Sequence, residues 1–187
     1  MLRDIKLFIL ETVEVILISA AIILPIRYFL VQPFFVKGQS MEPTFYDGDY
    51  LIIDELSFRF REPQRGEVVV FRFPQQPSQF YIKRIIGLPG ETIEILAGKI
   101  NITTPSGEKF LLSEPYLKNK EKTLGNLKIT LEKNQYFVLG DNRDSSYDSR
   151  RWGPLPKDNI VGRVWIRPWP FDSFEVFAAP IYLTEPE

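Results

Sequence analysis

Residues 67–95 read EVVVFRFPQQPSQFYIKRIIGLPGETIEI. Three runs in this stretch, Glu67–Phe73, Phe80–Ile86 and Glu91–Ile95, are rich in β-branched and aromatic residues, and each is bounded by Pro or Gly, the pattern of strands. Leu88-Pro89-Gly90-Glu91 reads as the turn between the last two. Working outward, Tyr50–Ile53 repeats the pattern behind the turn Asp47-Gly48-Asp49, and Gln135–Leu139 and Ile160–Ile166 repeat it further on. No helical period of useful length lies among these runs. The expected fold is mainly β, with an antiparallel β-barrel-like body.

Between Ala97 and Leu131 the character changes. Lys99–Thr103 and Lys109–Leu112 suit a hairpin around Pro105-Ser106-Gly107, and a polar stretch follows from Lys118 to Lys128. This reads as a small inserted β-containing cap, residues 97–131, within a body built from residues 32–96 and 132–170. The end of the chain, residues 171–187, is a proline-broken aromatic tail that either packs on the body or touches lipid.

Upstream, the window Phe8–Ile26 holds two charges, Glu11 and Glu14, both near one end. A bilayer span needs about 20 mostly apolar residues. Residues 1–31 therefore read as an N-terminal end plus one transmembrane helix, with a buried amphipathic helix as the alternative. Tyr28, Phe29, Phe34 and Phe35 suit an interfacial aromatic belt. Because Ser19-Ala20-Ala21 lies inside the apolar run instead of after it, a cleaved leader is disfavoured.

With 23 Lys+Arg against 24 Asp+Glu, the 187-residue chain carries no global basic field, and nucleic-acid binding is set aside. Two absences narrow the chemistry further. Without cysteine there is no thiolate nucleophile and no Cys-ligated metal, and without histidine a Ser-His-Asp triad is excluded. No metal or cofactor is expected. A catalytic serine here needs a carboxylate or a lysine of lowered pKa as its base.

The candidate serine is Ser40, in Gly38-Gln39-Ser40-Met41-Glu42-Pro43-Thr44. Strand alternation puts Lys83 on one face with Tyr81 and Ile85, and Arg84 on the other. Apolar neighbours disfavour the ammonium form and so make a proton acceptor of Lys83. Read alone, Lys83 is better taken as an ordinary surface lysine, since lysines are mostly exposed. Gly140-Asp141-Asn142-Arg143-Asp144-Ser145-Ser146-Tyr147-Asp148-Ser149-Arg150 is either a surface loop laced with ion pairs or a polar network holding a site.

Together, Ser40–Thr44, Tyr81–Glu91 and Gly140–Arg150 resemble, in order, the three signature boxes of bacterial type I signal peptidases. The resemblance extends from the N-terminal apolar segment to about Trp169. It implies Ser40 as nucleophile and Lys83 as general base, with Ser146 orienting the lysine amine. It also implies two supporting ion pairs, Arg84 with Asp141 and Asp148 with Arg150. The Ser40 backbone N–H would serve as oxyanion donor. Some members carry a serine hydroxyl donor where this chain has Gly38, so a second donor would come from backbone around Gly38, from water, or not at all. Phe34, Val36, Phe45, Tyr81 and Ile82 would line shallow pockets for small residues at the first and third positions before the cut; for Phe35 and Phe80 the preferred reading is core or membrane contact. Implied partners are signal-peptide-bearing preproteins and the lipid bilayer, with the N-terminus cytoplasmic and the catalytic body outside. The alternative of another class is a membrane-tethered β-domain that binds peptides without cutting them.

Overall fold

A computed structural model describes residues 2–29, 31–117 and 122–178. Helix α1 (Leu2–Phe29) leads into β1 (Val31–Phe35) and, after a run of turns, β2 (Tyr50–Asp54). A tight hairpin follows, β3 (Val68–Phe73) and β4 (Gln76–Gly87). Next come β5 (Thr92–Leu96), β6 (Lys99–Thr103), β7 (Lys109–Leu111) and β8 (Leu127–Thr130). The chain then runs through β9 (Gln135–Leu139), the single-turn helix α2 (Ser149–Trp152), β10 (Leu155–Pro156), β11 (Ile160–Trp169) and β12 (Glu175–Val176).

Two antiparallel sheets result. The larger has the order β1-β2-β11-β3-β4-β9-β10, with β12 beside β11, and the smaller the order β7-β6-β5-β8. The mainly β expectation holds, but the barrel does not. Closure requires the two edges of a sheet to pair, and β1 and β10 end the larger sheet without pairing to each other. The expected hairpin around Pro105-Ser106-Gly107 forms, with Ile102 opposite Phe110. Glu91–Ile95, read from sequence as a strand of the body, provides β5 of the smaller sheet. The reason is packing: Ile93 and Ile95 join Ile100, Ile102 and Phe110 in one cluster with Ile86, Phe137 and Leu139 of the larger sheet. That shared core seats one sheet on the other.

Strand β3 has apolar neighbours on both faces, which explains its unbroken apolar run. Val68 and Val70 pack with Met41, Phe45 and Leu51, while Val69 and Phe71 pack with Ile85, Tyr136 and Val138. Strand β4 starts earlier than expected, at Gln76, despite Pro77. Its first half pairs only with β3, and proline is tolerated where a strand has a free edge.

Among the described residues no helix is long and apolar enough to cross a membrane. The expected transmembrane helix is thus not met there. Described side chains on α1 run from Ile5 to Ala21, with Ile23, and include Lys6, Glu11 and Glu14. The alternative of a buried helix fails as well, because Phe8, Val15 and Leu17 are 69%, 64% and 63% exposed. The Tyr28 and Phe29 side chains of the expected belt lie outside the described residues, as do residues 118–121 of the polar stretch and the tail beyond 178.

Candidate active site

Ser40 sits in the turns between β1 and β2. Val36 N–H donates to Asp49 O at 2.9 Å and Gly48 N–H to Val36 O at 3.0 Å, which closes the segment into a loop. Met41 and Phe45, both 0% exposed, anchor it from below; burying one such side chain contributes roughly 2 kcal/mol. Gly38 adopts φ +85°, a left-handed conformation that glycine takes without a Cβ penalty. Its N–H donates to Asp47 Oδ1 at 2.7 Å. From the far side, Asn142 N–H donates to Ser40 O at 3.1 Å, so the serine's backbone is fixed by the 140–150 loop.

Lys83 lies on β4 opposite Val69 of β3 and is 4% exposed. Its Nζ donates to Ser40 Oγ at 2.6 Å and to Ile82 O at 2.8 Å, and it stands 5.7 Å from the Tyr81 ring centre. Burial pushes its pKa down from the ordinary 10.5 to about 8, against the opposing pull of the Asp148 and Asp141 carboxylates. At that value about one lysine in ten is a neutral amine near pH 7.

Next along β4, Arg84 clasps Asp141 with two bonds, Nε to Oδ1 at 2.8 Å and Nη2 to Oδ2 at 2.6 Å. Arg84 is 5% exposed and Asp141 0%; a bidentate, desolvated pair of this kind fixes orientation as well as charge. Thr44 Oγ1 donates to Asp141 Oδ2 at 2.6 Å, so the serine loop, the lysine strand and the polar loop meet at one carboxylate. Asp148 caps α2, accepting from Arg150 N–H. It also takes Arg150 Nε and Nη2 at 2.8 Å each and Gly140 N–H at 3.2 Å.

Ser146 occupies a tight place. A Cβ at Gly140 would overlap both Ser146 Oγ and Ser40 O, so only glycine lets the loop approach this closely. Among the described residues the buried Ser146 hydroxyl has no hydrogen-bond partner, and the bonds of the Lys83 amine go to Ser40 and Ile82.

An open groove of about 780 Å³ runs past Ser40 and Lys83, lined by Phe34, Val36, Tyr81 and Ile82 among others. The expected fifth lining residue, Phe45, is instead core, 0% exposed and 4.7 Å ring to ring from Phe177. It packs in the core with Val36, Met41 and Leu51. Phe35 and Phe80, read from sequence as core or membrane contacts, are 65% and 40% exposed on the groove's rim. Sequence reasoning passed over Thr44, Asp47 and the contact of Arg143 with Glu114. Thr44 and Arg143 stood inside quoted motifs; the link to Glu114, 29 residues away, leaves no local signal.

A serine hydroxyl bonded to a buried amine at the floor of an apolar groove is chemistry suited to acyl transfer from an extended peptide. Residues 9–169 match the family model described as "Signal peptidase, peptidase S26", and the chain belongs to that family. Signal peptidase I of Leptolyngbya laminosa is 36% identical over 180 residues, covering 91% of this chain and 85% of that protein. Signal peptidase IB of Staphylococcus aureus strain COL is 33% identical over 184 residues, covering 89% and 93%. A crystal structure of a signal peptidase I from Enterococcus faecalis V583 aligns with TM-score 0.46 at 31% identity, covering 55% of this chain and 97% of that one. The protein is a peptidase that removes signal peptides.

Proposed function

We propose that Ser40 is the nucleophile and Lys83 its general base. The observation carrying this reading is the 2.6 Å contact between Lys83 Nζ and Ser40 Oγ with the lysine buried. Neutral Lys83 takes the serine proton as Oγ bonds to the scissile carbonyl carbon. The tetrahedral adduct collapses, the C–N bond breaks, and Lys83 returns the proton to the leaving amine. A water then attacks the acyl-enzyme, Lys83 takes its proton, and Ser40 leaves with that proton restored.

Ser40 N–H is the first oxyanion donor. The Gly38 N–H is already given to Asp47, so water or another backbone group supplies the second. Ser146, with its buried, unpartnered hydroxyl beside Gly140, steadies the amine during transfer; the Arg84–Asp141 and Asp148–Arg150 pairs hold the surrounding backbone.

Specificity for small residues at the first and third positions before the cut is assigned to shallow pockets in the groove wall formed by Phe34, Val36, Tyr81 and Ile82, which reject bulk by overlap. Among the described residues the outer edge of β1, and the edge of β4's first half turned away from β3, have no partner strand, so an extended substrate adds between them. The exposed apolar α1 holds the catalytic body at a bilayer, N-terminus inside and body outside, where preproteins emerge.

The test is cleavage of a preprotein in detergent micelles. Ser40→Ala and Lys83→Ala should each lower kcat/KM by about a thousandfold or more, and the wild-type kcat/KM should rise with pH through a midpoint of about 8. Mature product from either variant at the wild-type rate sinks the dyad.

A further inference from the structure

Arg143 lies in the polar loop between Asp141 and Ser146, yet it is 2% exposed. Its Nε donates to Gly140 O at 3.0 Å, the glycine pressed against Ser40 O and Ser146. The other end of the guanidinium reaches into the segment that carries the smaller sheet. There Nη1 donates to Glu114 Oε2 at 2.8 Å, and further bonds go to Glu114 Oε1 and Thr123 Oγ1.

Glu114 serves a second arginine too. Tyr116 OH donates to Glu114 Oε1 at 2.6 Å, and the Tyr116 ring lies 3.9 Å from the Arg84 guanidinium carbon. Arg84 is the partner of Asp141 and the chain neighbour of Lys83. One carboxylate outside the three motifs thus touches both arms of the site, the loop through Arg143 and the lysine strand through Tyr116 and Arg84. Arginine keeps its charge in any protein setting, so a buried Arg143 needs a counter-ion. Glu114 provides it, and in doing so ties the inserted segment to the backbone that holds Ser40 and Lys83.

We infer that Glu114 is a positioning residue for peptide cleavage, acting through Arg143 and Tyr116 to hold the Gly140–Ser146 backbone and Arg84 against the Ser40–Lys83 pair. The inference rests on the dyad assignment above. It assigns the inserted segment a part in the reaction, although Glu114 and Tyr116 are not among the residues lining the substrate groove.

The experiment measures kcat and KM of the full chain in micelles, with thermal unfolding recorded alongside, at a temperature well below the lowest unfolding midpoint. Glu114→Gln is expected to lower kcat roughly tenfold or more and to leave KM within about twofold. The double variant Glu114→Gln/Arg143→Gln removes the uncompensated charge, so its midpoint recovers toward wild type while its kcat stays low. Recovery of kcat together with the midpoint would mean a merely structural contact and overturn the inference. Should Glu114→Gln not fold, Tyr116→Phe keeps the ring over Arg84 and breaks only the bond to Glu114. A kcat about threefold lower is expected there, and wild-type kcat overturns the inference. Ser40→Ala run in parallel keeps the two readings apart. If it still cleaves, the dyad fails; if it is dead while Glu114→Gln is fully active, only the positioning role fails.

Discussion

Helix α1 and the loop from Gly140 to Arg150 invert the usual rule in opposite senses. The helix leaves Phe8, Val15, Ile16 and Leu17 more than half exposed, whereas the loop buries Asp141, Arg143 and Asp148 to 2% or less. Exposed apolar surface on this scale is rare on a protein that meets only water. Buried charge is tolerated where every ion has a partner of good geometry, and each of these three has one. The helix is suited to the lipid contact proposed above, whereas the loop is held by partners within the chain.

Removing α1 tests the first half of that contrast and carries the largest expected effect. Each buried methylene is worth about 0.8 kcal/mol, so the exposed side chains of α1 together favour lipid strongly. The full chain should float with phospholipid vesicles, and a chain starting after Phe29 should not. Its unfolding midpoint should move little, since the main contact of α1 is with its chain neighbour β1. Equal flotation of both chains would move the lipid contact to another surface.

The loop's half of the contrast is tested by breaking one pair. Asp141→Ala leaves Arg84 buried without its bidentate partner, which should cost about 3–5 kcal/mol in urea unfolding. Glu94→Ala, which breaks the exposed pair with Lys128, should cost less than about 0.5 kcal/mol. Similar losses from the two would show that burial does not set the value of these pairs.

The same contrast explains what could be read in advance. Strands with β-branched runs, such as Val68–Phe73, declared themselves through composition, and the hairpin through Pro105-Ser106-Gly107. Ser40 and Lys83 stood out as candidates because the absent histidine and cysteine left few other bases or nucleophiles, and because strand period separates Lys83 from Arg84; the Arg84–Asp141 pair was named only through the resemblance to the signal peptidase boxes. Openness of the sheet was not legible, since closure depends on whether β1 and β10 meet. Nor was the burial of Phe45, an aromatic in a turn that folds inward onto Phe177. The Glu114–Arg143 contact joins a segment that looked like a polar appendage to a loop with no complementary local pattern.

Lys83 is the point where the buried region carries a cost that the proposed dyad requires. Its folded pKa, about 8, lies below the ordinary 10.5 because burial disfavours the ammonium. Between those values the unfolded chain holds the proton and the folded chain does not, so stability rises as pH rises across that window. Below it both states are protonated and the penalty is fully present. Lys83→Met removes the ammonium while keeping a side chain of similar length. It should stabilise the protein near neutral pH by about 1–3 kcal/mol, the desolvation relieved less the lost bond to Ser40, and abolish cleavage. Urea unfolding at two pH values, one on each side of the folded pKa, measures both effects. The wild type should gain stability at the higher pH, and the Met variant should lack that gain. If Lys83→Met is no more stable than wild type near neutral pH, the amine is not strained by its burial. The basis for its low pKa would then be lost, and with it the support for Lys83 as the proposed base.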